Sequence, residues 1–452
     1  MKRLYIYFHL DEYGRDSIVA SALRRYGKRI GCNVQFGNKR TAFITNKLNI
    51  FDALIFPSIY HYRLYFPDKS NLPKNVFILP TEAVGTSTGI VRKMQYKYFG
   101  SDYIEFSNWH SSINAYLLWG SDHLIGIKSI NSKYAEKSFV VGHPRLSKFC
   151  IPPQKKKIFE KNTIKQNKAK INIGLVSRFG VANPFDNRSN VQTLFKGMRF
   201  KNPNHAHFEN TPEHIDIEDN FYTELIDMKI FLILMLSLDS DKYQFNLRPY
   251  PRENYLVWEK FAKENNINCQ VSKWYHPFSY WIRQVDIVIS PPSTSFYDLL
   301  YQNISPISID KIISKRKDHL CKESDDNNRI LDFICRPKSI DDLISIIKEN
   351  KSFKAKEGFE GILKSQTAPT LNGDPIQNIF NVIRQRSLIN QKQINRRLIY
   401  NFHFLFMILW NYMSRIKNPF IKDQGSTAFL TLKKISWINN LSYNVSRGLR
   451  LK

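Results

Sequence analysis

The sequence predicts an α/β protein built from two doubly wound domains in tandem, followed by a basic helical tail. Three observations carry this. Short apolar runs alternate with helical stretches through residues 3–144, the pattern of a parallel sheet covered on both faces. The alternation stops at a lysine-rich linker and restarts at Lys170. The 452 residues fit two domains of roughly 100–200 residues each with a segment to spare. The expected division is a first domain over 1–150, a linker over 151–170, a second domain over 171–370 and a tail over 371–452.

In the first domain, residues 3–10, 32–37, 51–57 and 75–80 read as strands, and Ser17 to Tyr26 as a helix closing near Gly27. Residues 113–120 look helical, and 123–127 and 138–144 complete the series as strands. The linker holds seven lysines and Glu160 between Lys155 and Lys170, after Pro152-Pro153, and reads as a solvated connection. In the second domain, 170–177, 242–249, 285–290 and 304–309 read as strands. Tyr222 to Leu238, Glu253 to Asn265, 295–302 and Ser339 to Lys351 read as helices, the first of them apolar and expected in the core. A ligand of such a pair binds between the domains, at the carboxyl ends of the strands.

The net charge of +28 calls for an anionic partner. The tail from Arg384 onward holds thirteen Lys and Arg against Asp423 alone, around the apolar segment 398–413. As a helix that segment is about 25 Å long, short of the roughly 30 Å hydrocarbon core, and basic residues flank both ends. It suits an anionic membrane surface, or a helix buried between domains. No RNP, helix-turn-helix or zinc-finger pattern accompanies the charge, so nucleic acid is the weaker partner. Five scattered cysteines without a CxxC pair argue against a disulfide framework or zinc site and favour a reducing compartment. The first residues carry no secretory pattern, so the expected location is cytoplasmic.

Chemistry is sought in the strand-to-helix turns. Ser293, Thr294 and Ser295 open a helix with three hydroxyls, where capping needs one, which points to a phosphate site. Arg248, Tyr250 and Arg252 project from a proline-held turn suited to a diphosphate, although Arg252 and Glu253 could form a surface pair. Arg178 follows the first strand of the second domain and could reach the same phosphates. On the acceptor side, Glu12, Arg15 and Asp16 follow the first strand. Glu82 opens a Gly/Ser/Thr-rich loop as a candidate general base, or as a turn cap. His143 and Arg145 share a turn before the linker, the histidine catalytic or structural. Asp239-Ser240-Asp241 has the letters of a metal motif but lies in a helix-to-strand connection and reads as a turn.

Glu12, Arg15, Asp16 and Gly27, then Thr81-Glu82, Gly142-His143-Pro144-Arg145, Arg248-Pro249-Tyr250-Pro251 and Asp286 through Asp298 come in a telling order. Over residues 1–370 the chain resembles a GT-B type glycosyltransferase of the bacterial surface carbohydrate biosynthesis protein family. That family is akin to the CDP-glycerol glycerophosphotransferases and the Kdo transferases of capsule, teichoic acid and lipopolysaccharide assembly. Tyr250 stands where the family has the histidine expected at the donor phosphate, and tyrosine is not cationic at neutral pH.

The resemblance implies two Rossmann-like domains and transfer of a sugar from a nucleotide-activated donor, CMP- and CDP-linked donors among the candidates. The acceptor would be a growing surface polysaccharide or a lipid-linked oligosaccharide. It implies no cofactor and no metal, with Glu82 and His143 catalytic and Arg178, Arg248, Tyr250, Arg252, Ser293, Thr294 and Ser295 on the donor. Glu12, Arg15 and Arg145 would meet the acceptor, on the inner face of the cytoplasmic membrane. Rivals are a CDP-polyol phosphotransferase of the same architecture, a sugar-nucleotide epimerase, a non-catalytic scaffold and a nucleic-acid-binding protein.

Overall fold

The computed structural model describes residues 4–10, 13–37, 51–66, 72–80, 109–130, 132–150, 170–180, 182–184, 212–250, 253–272, 278–313, 329–349, 355–368 and 373–387. Glu12, Glu82, Arg252, the lysine linker up to residue 169 and segment 398–413 lie outside them.

Two parallel sheets form. The first contains β1 (Tyr5–His9), β2 (Asn33–Gly37), β3 (Ala53–Phe56), β4 (Val76–Ile78), β5 (Ile113–Leu118) and β6 (Ser138–Val140), in the order β2-β1-β3-β4-β5-β6. The second contains β7 (Ile171–Val176), β8 (Tyr243–Arg248), β9 (Cys269–Val271), β10 (Ile287–Ser290) and β11 (Ile307–Ser308), in the order β11-β10-β7-β8-β9. All pairings are parallel. These are the two doubly wound parallel-sheet domains that the sequence predicts. Strand order reverses between β1 and β3 in one sheet and between β7 and β10 in the other. Those two switch points are where ligands of open α/β sheets bind.

Side-chain alternation along β1 builds two cores. Ile6 and Phe8 pack with Val19, Leu23 and the helix Tyr13–Arg29 on one face. Tyr5 and Tyr7 pack with Phe56, Tyr62 and Trp109 on the other. In the second domain Phe231, Leu234 and Met235 of the helix Pro212–Ser237 pack against Ile173, Leu175 and Phe245, with Trp258 beside them. That helix begins well before the predicted Tyr222.

Two corrections follow. Residues 113–118 are a strand and Ser121–Ile130 a helix, the reverse of the sequence reading. A short run of buried apolar residues between two neighbouring strands has no periodicity to distinguish it from helix. Second, Pro375–Arg386 is not tail but a helix of the first domain's core. Asp374 caps it, Pro375 opens it, and Ile376, Ile379, Phe380 and Ile383 are buried beside the helix Tyr13–Arg29. The preceding helix, Phe359–Thr367, passes so close to the first domain that a Cβ on Gly120 would lie 2.1 Å from the Ser365 carbonyl oxygen.

Candidate functional site

At the second domain's switch point, the turns after β7 and β8 are tied together by a carboxylate. Val176 pairs with Arg248 in register, so Ser177 and Tyr250 leave the sheet side by side. Buried Glu253 reaches both. Its Oε2 accepts hydrogen bonds from Ser177 Oγ, from Phe179 N–H at 3.2 Å and from Tyr250 N–H at 3.2 Å. Its Oε1 accepts from Trp258 Nε1–H at 2.5 Å. Burial raises the carboxyl pKa and these four donors pull against it. Glu253 is therefore not a surface partner of Arg252; it is the hub that shapes the turns carrying Arg178 and Tyr250.

Arg248 ends β8 with its guanidinium over the Phe278 ring, 5.4 Å from the centroid. Burial lowers its pKa to about 10, so it remains cationic at neutral pH. Across the switch point, β10 ends at Ser290. Ser293 Oγ accepts the Ser295 N–H at 3.2 Å and meets Ser295 Oγ at 3.0 Å. Ser293 thus caps the seven-residue helix Ser295–Tyr301, while Thr294 makes no side-chain cap. Arg178 and Tyr250 are half-buried.

In the first domain a small pocket is lined by Phe8, Asp16, Val19, Leu79, Trp119, His143, Pro144 and Arg145. Gly142, at φ +92, lets the chain turn there against the Ala368 carbonyl. His143 stacks on Trp119 with ring centroids 3.7 Å apart. Its Nδ1 accepts the Arg145 backbone N–H at 3.1 Å. A backbone N–H can only donate, so Nδ1 is unprotonated and the neutral ring carries its proton on Nε2. Arg145 Nη2 lies 3.3 Å from Nε2. Burial, then Arg145 and His123, hold the pKa well below the usual imidazole value. Burial thus disfavours the charged form of the ring.

Arg145 also crosses to the second domain, its Nη1 3.4 Å from Asp298 Oδ2 in the helix that leaves the serine turn. His143 N–H donates to the Thr367 carbonyl at 2.8 Å, and Tyr297 OH donates to Gln366 Oε1. The first domain's turn at 142–145 and the second domain's helix Ser295–Tyr301 are therefore in direct contact, with residues 366–367 beside them.

Of the predicted residues, Arg178, Arg248, Tyr250, Ser293, Thr294 and Ser295 occupy the strand ends of the second domain, and His143 and Arg145 those of the first. Arg15 falls in the opening turn of the helix Tyr13–Arg29, its side chain outside the described set. Sequence reasoning passes over Trp119, Glu253 and Asp298 as site residues. Their signal, an indole or a carboxylate at a strand or helix end, needs the neighbouring strand to gain meaning. Asp239-Ser240-Asp241 is a turn, with Asp239 Oδ1 accepting the Asp241 N–H at 2.9 Å. Among the described residues no three His, Cys, Asp or Glu side chains gather to hold a metal ion. No helix among them is long and apolar enough to cross a membrane.

No family model matches the chain, and no curated protein matches it. Solved structures do. The wall teichoic acid polymerase TagF is 12% identical with a TM-score of 0.46, covering 84% of this chain and 88% of that one. UDP-GlcNAc 2-epimerase from Neisseria meningitidis, bound to UDP-GlcNAc, is 11% identical with a TM-score of 0.38, covering 85% and 100%. MurG of Acinetobacter baumannii is 11% identical with a TM-score of 0.35, covering 84% and 99%. At these values the likeness adds no argument to the one made from this chain's own residues.

Proposed function

We propose that this chain is a glycosyltransferase that moves a sugar from a nucleotide-activated donor to a surface polysaccharide or lipid-linked acceptor. The observation that supports the reading is the Arg145–Asp298 contact, which sets a pocket at the strand ends of one sheet against the serine turn of the other. Group transfer between two bound substrates calls for that juxtaposition.

The donor's phosphates would lie at the β7/β10 switch point, against Arg248, Arg178 and the hydroxyls of Ser293, Thr294 and Ser295, with Tyr250 and Arg252 at the rim. A buried guanidinium stabilises the charge that develops on the departing nucleotide, and no metal ion is invoked. Glu82 is the proposed base for the acceptor hydroxyl, with Glu12, Arg15 and Arg145 on the acceptor side. The basic, apolar-cored tail beyond residue 387 is proposed to hold the enzyme peripherally on the inner face of the cytoplasmic membrane.

The test is a panel of CMP-, CDP- and UDP-linked sugars and CDP-glycerol, read by thermal stabilisation and then by product formation on lipid-linked acceptors. Stabilisation by one nucleotide class that is lost in Arg248→Ala supports the reading. Absence of any response refutes it, and turnover of CDP-glycerol alone converts it to polyol-phosphate transfer.

A further inference from the structure

The helix Pro212–Ser237 is apolar on two opposite sides. One side packs Phe231, Leu234 and Met235 into the core of the second domain. On the other, Tyr222, Leu225, Ile226, Leu232, Ile233 and Leu236 recur at three- and four-residue spacing and share one face. Tyr222 is 63% exposed and Leu236 57%, with Leu225 and Ile226 exposed between them. The stripe is about 21 Å long at 1.5 Å per residue. The adjacent helix Tyr255–Glu264, whose Trp258 ring meets Phe231, leaves Leu256 and Val257 exposed as well. Scattered surface apolar residues need no explanation, but a stripe of this length marks a contact.

Charge narrows the occupant. Lys229 is exposed at the middle of the stripe. The carboxylates of this stretch turn away from it: Asp227 is buried, and Glu224 accepts the Ala182 N–H at 3.0 Å. Lys260 and Lys263 are exposed on the adjacent helix, with Lys260 3.6 Å from Glu264. Glu213, Asp216, Glu218 and Asp219 lie upstream, so the contact begins at Tyr222.

A second copy packed antiparallel about the middle of the stripe would set Lys229 against its own image. A protein partner is poorly matched too, because the exposed apolar residues are aliphatic apart from Tyr222, and neither helix carries an arginine anchor. A bilayer requires no such anchor. Aliphatic side chains enter the acyl boundary, and Lys229 reaches the lipid phosphates along its own apolar stem.

We propose that the face 222–236 rests on an anionic lipid bilayer, as a membrane contact separate from the basic tail. Interfacial contacts of this kind are weak singly and hold in pairs. The helix joins parallel strands β7 and β8, so it runs back along the sheet. Laid flat, it turns the carboxyl ends of the strands sideways along the membrane surface. Only in seating a lipid-linked acceptor there does the inference rest on the transfer reading.

The test is flotation of the full chain with vesicles of phosphatidylcholine and phosphatidylglycerol, and of phosphatidylcholine alone. Leu225→Gln combined with Leu236→Gln should lower partitioning about tenfold or more. Lys229→Glu should lower it about fivefold or more on the anionic vesicles and less than about twofold on the neutral ones. Melting temperatures within about 2 °C of wild type establish that these surface variants fold.

Wild-type partitioning by the double leucine variant overturns the proposal, as does a wild type that floats with neither vesicle. A wild-type dimer in sedimentation that the leucine variant turns to monomer overturns it in favour of a second copy. Binding of an apolar dye that appears on deleting 388–452, and is lost again in the leucine variant, overturns it in favour of the chain's own tail. Flotation requires no nucleotide, so its outcome is independent of the transfer reading. If the leucines govern flotation and no nucleotide stabilises the protein, the transfer reading falls and the lipid contact stands.

Discussion

Replacing Glu253 by glutamine tests whether one buried carboxylate organises the turns after β7 and β8. The amide oxygen can take the Oε2 position and keep Ser177, Phe179 and Tyr250, but the NH2 group must then face Trp258 Nε1–H, donor against donor. The loss is one hydrogen bond to a charged acceptor, about 1.5–3 kcal/mol, plus an indole N–H left unsatisfied, about 1–3 kcal/mol. Against this, a neutral side chain no longer bears the cost of burying a charge, the effect that raises the Glu253 pKa. The net expectation is a destabilisation of about 2–3 kcal/mol. In a domain of this size that lowers the melting temperature by roughly 4–10 °C.

The decisive measurement is a double-mutant cycle in urea with Trp258→Phe, which removes the opposing donor. Glu253→Gln should cost about 1–2 kcal/mol less in that background than in the wild type. Equal costs in both backgrounds, or a cost below about 0.5 kcal/mol in the wild type, would refute the hub.

Truncation separates core from tail: removing residues 371–452 deletes five buried apolar side chains (Ile376, Ile379, Phe380, Val382 and Ile383), each worth roughly 1.5–3 kcal/mol, and should abolish soluble expression. Removing only 388–452 should leave the melting temperature within about 2 °C and release the protein from anionic vesicles in a flotation assay. Gly120→Ala drives a methyl group into the backbone of Ser365 and Gln366 and should cost at least about 3 kcal/mol by thermal unfolding. Acid stability should report on His110, whose pKa burial, then Lys137, pushes down to about 3. A depressed pKa gives stability that is complete above the unfolded value near 6.5 and lost as pH falls toward the folded one. His110→Gln should therefore flatten the urea-derived stability profile between pH 6 and 4 by about 1.4 kcal/mol per pH unit relative to wild type.

Both sheets are legible in the sequence because buried parallel strands are short apolar runs bounded by turn residues, and most lie within a residue or two of their expected places. The pair 113–118 and 121–130 is not, since its burial erases the periodicity that separates strand from helix. The helix Pro375–Arg386 has a readable start in Asp374-Pro375 and an apolar stripe at Ile376, Ile379, Phe380 and Ile383. The basic charge beyond Arg384 draws it into the tail instead. Candidate site residues at strand ends are visible because that is where such sheets place ligands. The residues that set their geometry are not. Glu253 touches Ser177 across 76 positions and Asp298 touches Arg145 across 153, and no local pattern encodes either contact.

The return of residues 373–387 to the first sheet bears on how the chain is made. A ribosome delivers the strands of the first domain early, but the Phe380 ring that closes on Gly27 and Tyr26 comes more than 350 residues later. The first domain must therefore wait, with an apolar face uncovered, while the whole second domain is synthesised and folds. Domain-by-domain maturation, the usual order for tandem folds, is denied to this protein. Its first half expressed alone is expected to aggregate unless 373–387 is supplied with it, as a fused segment or as a separate peptide.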